Sequence, residues 1–138
     1  MISKATLLGF SILLLQSVTV LSQSVFKAGA AQSVITPPIG YSTNGNFQDI
    51  KATHIHDDTH AKAIVLESAG TQLAIVVADL CMIDRTTLDK AKAKASKYTG
   101  IPTQHMMMSA THTHSGGTAC GVFQSDPEPF YLDFLSER

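Results

Sequence analysis

The chain has 138 residues, with ten Lys and Arg against eleven Asp and Glu and a formal net charge of −1. A balance this close to neutral, with only 15% charged residues, excludes a polyanion-binding role such as nucleic-acid recognition. About one domain's worth of residues remains once the apolar amino terminus is set aside.

That terminus has Lys4 as its only charge, followed by a Leu-, Ile-, Val- and Phe-rich run from Ala5 to Leu21 and small residues at Ser22 to Ser24. The pattern predicts a secretory signal peptide over residues 1–22, leaving 23–138 as the mature chain in a secreted or periplasmic setting. A spanning helix needs about 20 strongly apolar residues, and Ser11, Gln16, Ser17 and Thr19 interrupt this run; an uncleaved membrane anchor is the alternative. From Val25 to Ile50, Gly, Pro, Ser, Thr and Asn dominate, which predicts irregular backbone with at most one short strand.

His54-Ile55-His56-Asp57-Asp58-Thr59-His60 nearly imitates the His-x-His-x-Asp-His pattern of binuclear metallo-hydrolases. One extra residue precedes the last histidine, so a binuclear site on His54, His56 and His60 stands as an alternative beside partly exposed loop histidines. Ala61–Glu67 and Thr71–Leu80, joined by Ser68-Ala69-Gly70, read as an antiparallel hairpin. The second strand ends in Asp79, which either supports a histidine or caps the following turn.

Thr86 to Tyr98 reads as a helix. Leu88, Ala91, Ala95 and Tyr98 make its apolar stripe, Thr86 and Asp89 resemble a capping box, and Gly100 with Pro102 supplies the stop. Lys90, Lys94 and Lys97 fall opposite the stripe and read as a solvated face. The apolar Met106, Met107 and Met108 follow as a buried strand and core fill, so strand, helix and strand form a βαβ unit with parallel strands. The fold class expected is α/β: the amino-terminal part of a layered domain whose mixed sheet combines an antiparallel hairpin with that βαβ unit. Phe130 to Leu135 opens a further amphipathic helix without a stop signal before Arg138, so more chain is expected to follow.

The chemistry converges on the exit of the Met strand. His112-Thr113-His114-Ser115-Gly116-Gly117 follows directly, and in open α/β sheets ligands bind beyond the carboxyl ends of strands. If the segment is extended, His112 and His114 face one pocket, and neutral imidazole is both a zinc ligand and a proton-transfer group. A solvated polar loop is the bland alternative, and the two glycines allow either a ligand's close approach or a turn. Cys81 and Cys120 follow the two strand ends and are either a disulfide or two free thiols.

Thr111-His112-Thr113-His114-Ser115-Gly116 after an apolar strand resembles the Thr-His-Thr-His-Ser-Gly-Pro signature of the neutral/alkaline non-lysosomal ceramidases. Ala28-Gly29-Ala30-Ala31 with Ile35-Thr36-Pro37-Pro38, His56-Asp57-Asp58 leading into Ala61–Leu66, and Val76-Val77-Ala78-Asp79-Leu80 resemble other blocks of that family in the same order. Gly117 departs from the signature's proline. The resemblance implies a zinc-dependent amidohydrolase acting on a sphingolipid or other N-acyl lipid, with peripheral membrane contact as an option. It implies zinc held by two histidines, a glutamate and a tyrosine, with a serine nucleophile; His112 takes a metal-ligand position and His114 a catalytic one facing the substrate. A non-catalytic secreted domain of the same fold is the reading in another class.

Overall fold

A computed structural model describes residues 25–138. The signal peptide expected at residues 1–22 lies outside them. Among the described residues, no helix is long and apolar enough to cross a membrane.

The chain runs through β1 (Lys27–Val34), β2 (Ser42–Thr43), β3 (Ile50–Lys51), β4 (His60–Ser68), β5 (Thr71–Ala78), α1 (Arg85–Thr99), a single 3-10 turn at Thr103–His105, β6 (Met106–Ala110) and α2 (Pro129–Glu137). The main sheet has the order β1-β4-β5-β6. The β4–β5 hairpin is antiparallel, with Ala61 opposite Ala78 and Ser68 opposite Thr71, and β6 lies parallel to β5, with Ala78 opposite Ala110. The expected mixed α/β sheet is therefore what forms. β1 is longer than the composition predicts: eight residues pair antiparallel with β4 along their whole length. Lys, Gly, Ala, Gln and Ser are weak strand formers, so the edge strand is imposed by its neighbour rather than by propensity.

Side chains directly opposite one another share a face, which divides the sheet cleanly. Ala61, Ala63, Val76, Ala78 and Met108 face α1 and α2. Small residues on both sides of this layer leave a cavity of about 380 Å³, walled on the helix side by Leu88, Ala91 and Ala95. The opposite face carries Ile64, Leu73 and Met107, exposed by 49%, 47% and 58%. Met107 is therefore not core fill, because alternation turns it away from buried Met106 and half-buried Met108.

Helix α1 begins two residues earlier than a Thr86 capping box would place it. Asp84 is the N-cap, its carboxylate accepting from the Thr87 amide at 2.7 Å and from the Thr87 hydroxyl at 3.0 Å. Gly100, at φ 76°, closes the helix as expected. Two other expectations for this helix hold only in part. Tyr98 borders the cavity with Ala91 and Ala95 but is 81% exposed. Lys90 and Lys97 are exposed as a solvated face requires, whereas Lys94 is half-buried and reaches Glu137 and the Ser136 hydroxyl of α2, with Lys90 3.6 Å from Asp133.

Candidate metal centre

Strands β5 and β6 end side by side, and the segments leaving them are locked together by main-chain bonds. The Thr111 amide donates to the Ala78 carbonyl at 2.9 Å and the His112 amide to the Leu80 carbonyl at 3.0 Å. His112 then takes a left-handed backbone, φ 64°, so the motif is a turn and not the extended segment expected from its spacing. The two rings still meet. The turn, rather than strand alternation, brings His112 Nε2 to 3.3 Å from His114 Nε2, with the ring planes 82° apart.

The other nitrogen of His112 fixes its chemistry. Nδ1 lies 3.0 Å from the Cys81 carbonyl oxygen, which can only accept, so Nδ1 carries the proton and Nε2 presents its lone pair toward His114. Cys81 Sγ, 3.6 Å from the same Nδ1, packs behind the ring. Burial pushes the Cys81 thiol up, and nearby Cys120 adds to the shift, so it stays protonated. Among the described residues, Cys81, His112 and His114 are the one group of three His, Cys, Asp or Glu side chains whose ligand atoms all lie within 4.8 Å of one another. His112 Nε2 faces His114, while the Cys81 thiol lies nearest the other nitrogen of His112. Both histidines are exposed and open to a ligand.

Three glycines set the loop. A Cβ on Gly45 would stand 2.4 Å from His114 Cγ, one on Gly116 2.6 Å from the Asp79 carbonyl oxygen, and one on Gly117 2.7 Å from the Tyr131 ring. Gly116 and Gly117 thus admit the protein's own backbone and an aromatic ring rather than a ligand. Gly117, the departure from the family's signature, is where Tyr131 of α2 presses on the loop. Tyr131 is 1% exposed, and its hydroxyl donates to the Ile35 carbonyl at 2.7 Å; burial pushes its pKa well above the ordinary tyrosine value.

Buried polar groups complete the brace, and each is paired. Asn44, fully buried, donates from Nδ2 to the Cys120 carbonyl at 2.8 Å and accepts the Gly45 amide on Oδ1. The Ser42 and Thr118 hydroxyls bond to each other at 2.8 Å, and Ser42 donates to Asp49 at 2.6 Å. Nothing in the sequence between residues 41 and 46 announces this role, because its partners lie some 76 positions away.

His114 borders a cleft of about 670 Å³ whose walls include His54, His56, Asp57, Asp58, Asp79 and Lys51. The binuclear alternative does not assemble there. His56 Nδ1 pairs with its neighbour Asp57 at 2.7 Å, Asp58 accepts from the Thr36 hydroxyl, and His60 belongs to β4 with its amide on Asp79. His54 Nδ1 faces the Thr53 hydroxyl at 3.2 Å, so the three histidines do not converge on one point. Asp79 neither supports a histidine ring nor caps the turn: it accepts from the His60 amide and the Lys62 ammonium. Cys81 and Cys120 are free thiols, the first buried and the second half-buried.

No protein-family model matches the chain, and no curated protein matches it. Solved structures do. The crystal structure of neutral ceramidase from Pseudomonas aeruginosa is 32% identical at a TM-score of 0.62, over 67% of this chain and 16% of that one. A ceramidase complexed with C2 is also 32% identical, at a TM-score of 0.60, over 67% of this chain and 15% of that one. The resemblance read from the sequence thus extends to the fold, and over the shared segment this chain is similar to the neutral ceramidases.

Proposed function

We propose that this chain is the amino-terminal part of a secreted, zinc-dependent amidohydrolase that cleaves the N-acyl bond of a ceramide-like lipid, residues 1–22 being its signal peptide and 23–138 the opening of its catalytic domain. The observation that carries the reading is the pairing of His112 and His114. The two Nε2 atoms are separated by 3.3 Å, so a group held at His112 Nε2 lies within reach of a hydrogen bond from His114 Nε2. The tautomer fits as well, since the Cys81 carbonyl holds the His112 proton on Nδ1 and aims the free lone pair outward, as an outer partner of a metal-bound histidine does.

His112 would hold the ion, joined by the glutamate, tyrosine and second histidine that the ceramidase resemblance implies. Zinc, when bound, supplies Lewis-acid polarisation of the amide carbonyl and eases deprotonation of the attacking group. His114, at the mouth of the polar cleft, donates from Nε2 to the carbonyl oxygen as charge develops on it. Ser42, Asn44, Gly45 and Tyr131 keep that donor in register.

Metal content and turnover of an N-acyl sphingoid base, measured together on the complete gene product, test the division of labour. His112→Ala should lose zinc and activity together. His114→Ala should retain zinc and lose turnover by about 10²- to 10³-fold, the usual cost of one oxyanion donor. Equal zinc loss in both variants would make both rings ligands. Unchanged zinc and activity in both would return the motif to a solvated loop.

A further inference from the structure

We propose that Asn44 and Gly45 form a self-modification site, at which the folded chain converts asparagine to isoaspartate and thereby dislodges His114. The reactants are neighbours in the chain, so the step needs no partner and no outer surface. The Gly45 amide nitrogen stands 2.7 Å from Asn44 Oδ1, held against the side-chain carbonyl whose carbon it attacks. Any other residue after Asn44 would set a Cβ beside that nitrogen, and glycine sets none. The brace itself requires this pair. Gly45 lies at φ 110°, where few side chains are tolerated, and a Cβ there would strike His114. Asn44, fully buried, satisfies both the Cys120 carbonyl and the Gly45 amide. Holding the histidine therefore puts a thermolabile asparagine, with glycine after it, directly behind the ring.

In the first step the Gly45 nitrogen bonds to Asn44 Cγ and its proton passes to water. The Cγ–Nδ2 bond breaks, and Nδ2 departs as ammonia with a proton taken from water. The resulting succinimide then adds one water. Opening at Cγ gives aspartate; opening at the former main-chain carbonyl gives isoaspartate, whose chain continues through Cβ and Cγ and leaves a free carboxylate behind. Water reaches the pair, because Gly45 is only half-buried and Thr43 and Asn46 on either side line the polar cleft.

Isoaspartate has no room at this position. It lengthens the main chain by one carbon just before Gly45, where an added Cβ would already lie within 2.9 Å of Cα, Cβ and Cγ of His114. The preceding residues cannot absorb the extra atom. The Asn44 amide donates to the Gly116 carbonyl at 3.2 Å and the Thr118 amide to the Ser42 carbonyl at 3.0 Å, which pins them to the loop that carries the histidine. The side-chain amide that served the Cys120 carbonyl is also lost. His114 is thus the ring displaced, whereas His112 stays anchored by the Leu80 and Cys81 carbonyls. Displacement is read without turnover, so it is tested separately from the proposed amide hydrolysis.

The complete gene product, kept folded in warm, mildly alkaline buffer and digested at intervals, provides the test. Mass spectrometry with electron-transfer fragmentation should find isoaspartate accumulating at position 44, first order and independent of protein concentration. Asn46 should stay intact, because the Phe47 side chain hinders the same attack. Imidazole 15N–1H signals of the converted fraction should move at His114 and hold at His112. Urea short of the unfolding transition should leave the rate unchanged. Asn44→Asp alters the amide without lengthening the chain and should move His114 less than isoaspartate does. The proposal is overturned if the folded protein shows no conversion by the time the urea-unfolded protein has converted fully, or if the rate climbs with the unfolded fraction. Isoaspartate at position 44 with His114 unmoved, or an equal displacement in Asn44→Asp, would overturn it as well.

Discussion

At the corner where β5 and β6 end, an added methyl group has nowhere to go; under α1, the same sheet leaves about 380 Å³ empty. Ile35, Ala78, Leu80, Ala119, Tyr131 and Leu135 close around the corner, with Ser42, Asn44, Thr118 and Ser125 buried and hydrogen-bonded beside them. The far end of the sheet has only Ala74, Ile101 and Met106 fully inside, and its outer face is largely open. Ala78 and Leu135 stand between the two, closing the corner on one side and lining the cavity on the other. A closed corner is what a site needing fixed donors requires, since a displacement of about 1 Å in a positioned group can cost on the order of 10²-fold in rate.

The contrast breaks most visibly at its two extremes. Tyr131→Ala removes a buried ring and its bond to Ile35, and large aromatic truncations of this kind cost about 3 to 5 kcal/mol. Met107→Ala, on the open face, should cost under about 0.5 kcal/mol, like other exposed changes. Urea unfolding of both variants reads the difference, and similar losses would erase the distinction between corner and sheet.

A subtler comparison adds volume at both places. Gly117→Ala drives a Cβ into the Tyr131 ring and should destabilise by about 1 to 3 kcal/mol. Ala63→Val grows into the cavity under α1 on a strand that favours β-branched residues, and should be neutral or stabilise by up to about 1 kcal/mol. Opposite signs in thermal unfolding support the account; the same sign in both would show that the cavity closes in solution.

The legible parts of the fold are those written in short-range pattern. The β4–β5 hairpin, the α1 periodicity with its Gly100 stop, and the parallel β6 could all be read from spacing and turn residues. β1 could not, because Lys27 to Val34 has no strand propensity and exists by pairing with β4. The exposure of Tyr98 and the engagement of Lys90 and Lys94 depend on where α2 lies, which no local pattern encodes. At the site, the sequence marked His112 and His114 as a pair but not what holds them. Asn44, Gly45 and Tyr131 act across separations of 69 to 96 residues between partners, and only a general signal, polar residues and glycine in an otherwise featureless loop, was present.

A small pH effect should track the brace. The Ser42 hydroxyl, and then Lys51, hold the Asp49 carboxyl below its ordinary value. Its contribution to stability is therefore complete above the unfolded value of about 3.9 and is lost as pH falls through the lower folded value. Asp49→Asn should be slightly less stable than the parent at neutral pH and converge with it as pH falls below about 4; a difference that persists unchanged into acid would show a different role for the carboxylate.

On the proposed reading, the fold prepares His112 to bind through Nε2, with His114 poised beside it. Long-range 15N–1H NMR of the imidazoles in the metal-free protein reads this directly. His112 should appear as the Nδ1–H tautomer, and added zinc should move its Nε2 resonance strongly, with a response at His114 Nε2 and none of comparable size at His54, His56 or His60. A His112 protonated on Nε2 instead, or zinc shifts centred on the His54–His60 segment, would contradict it.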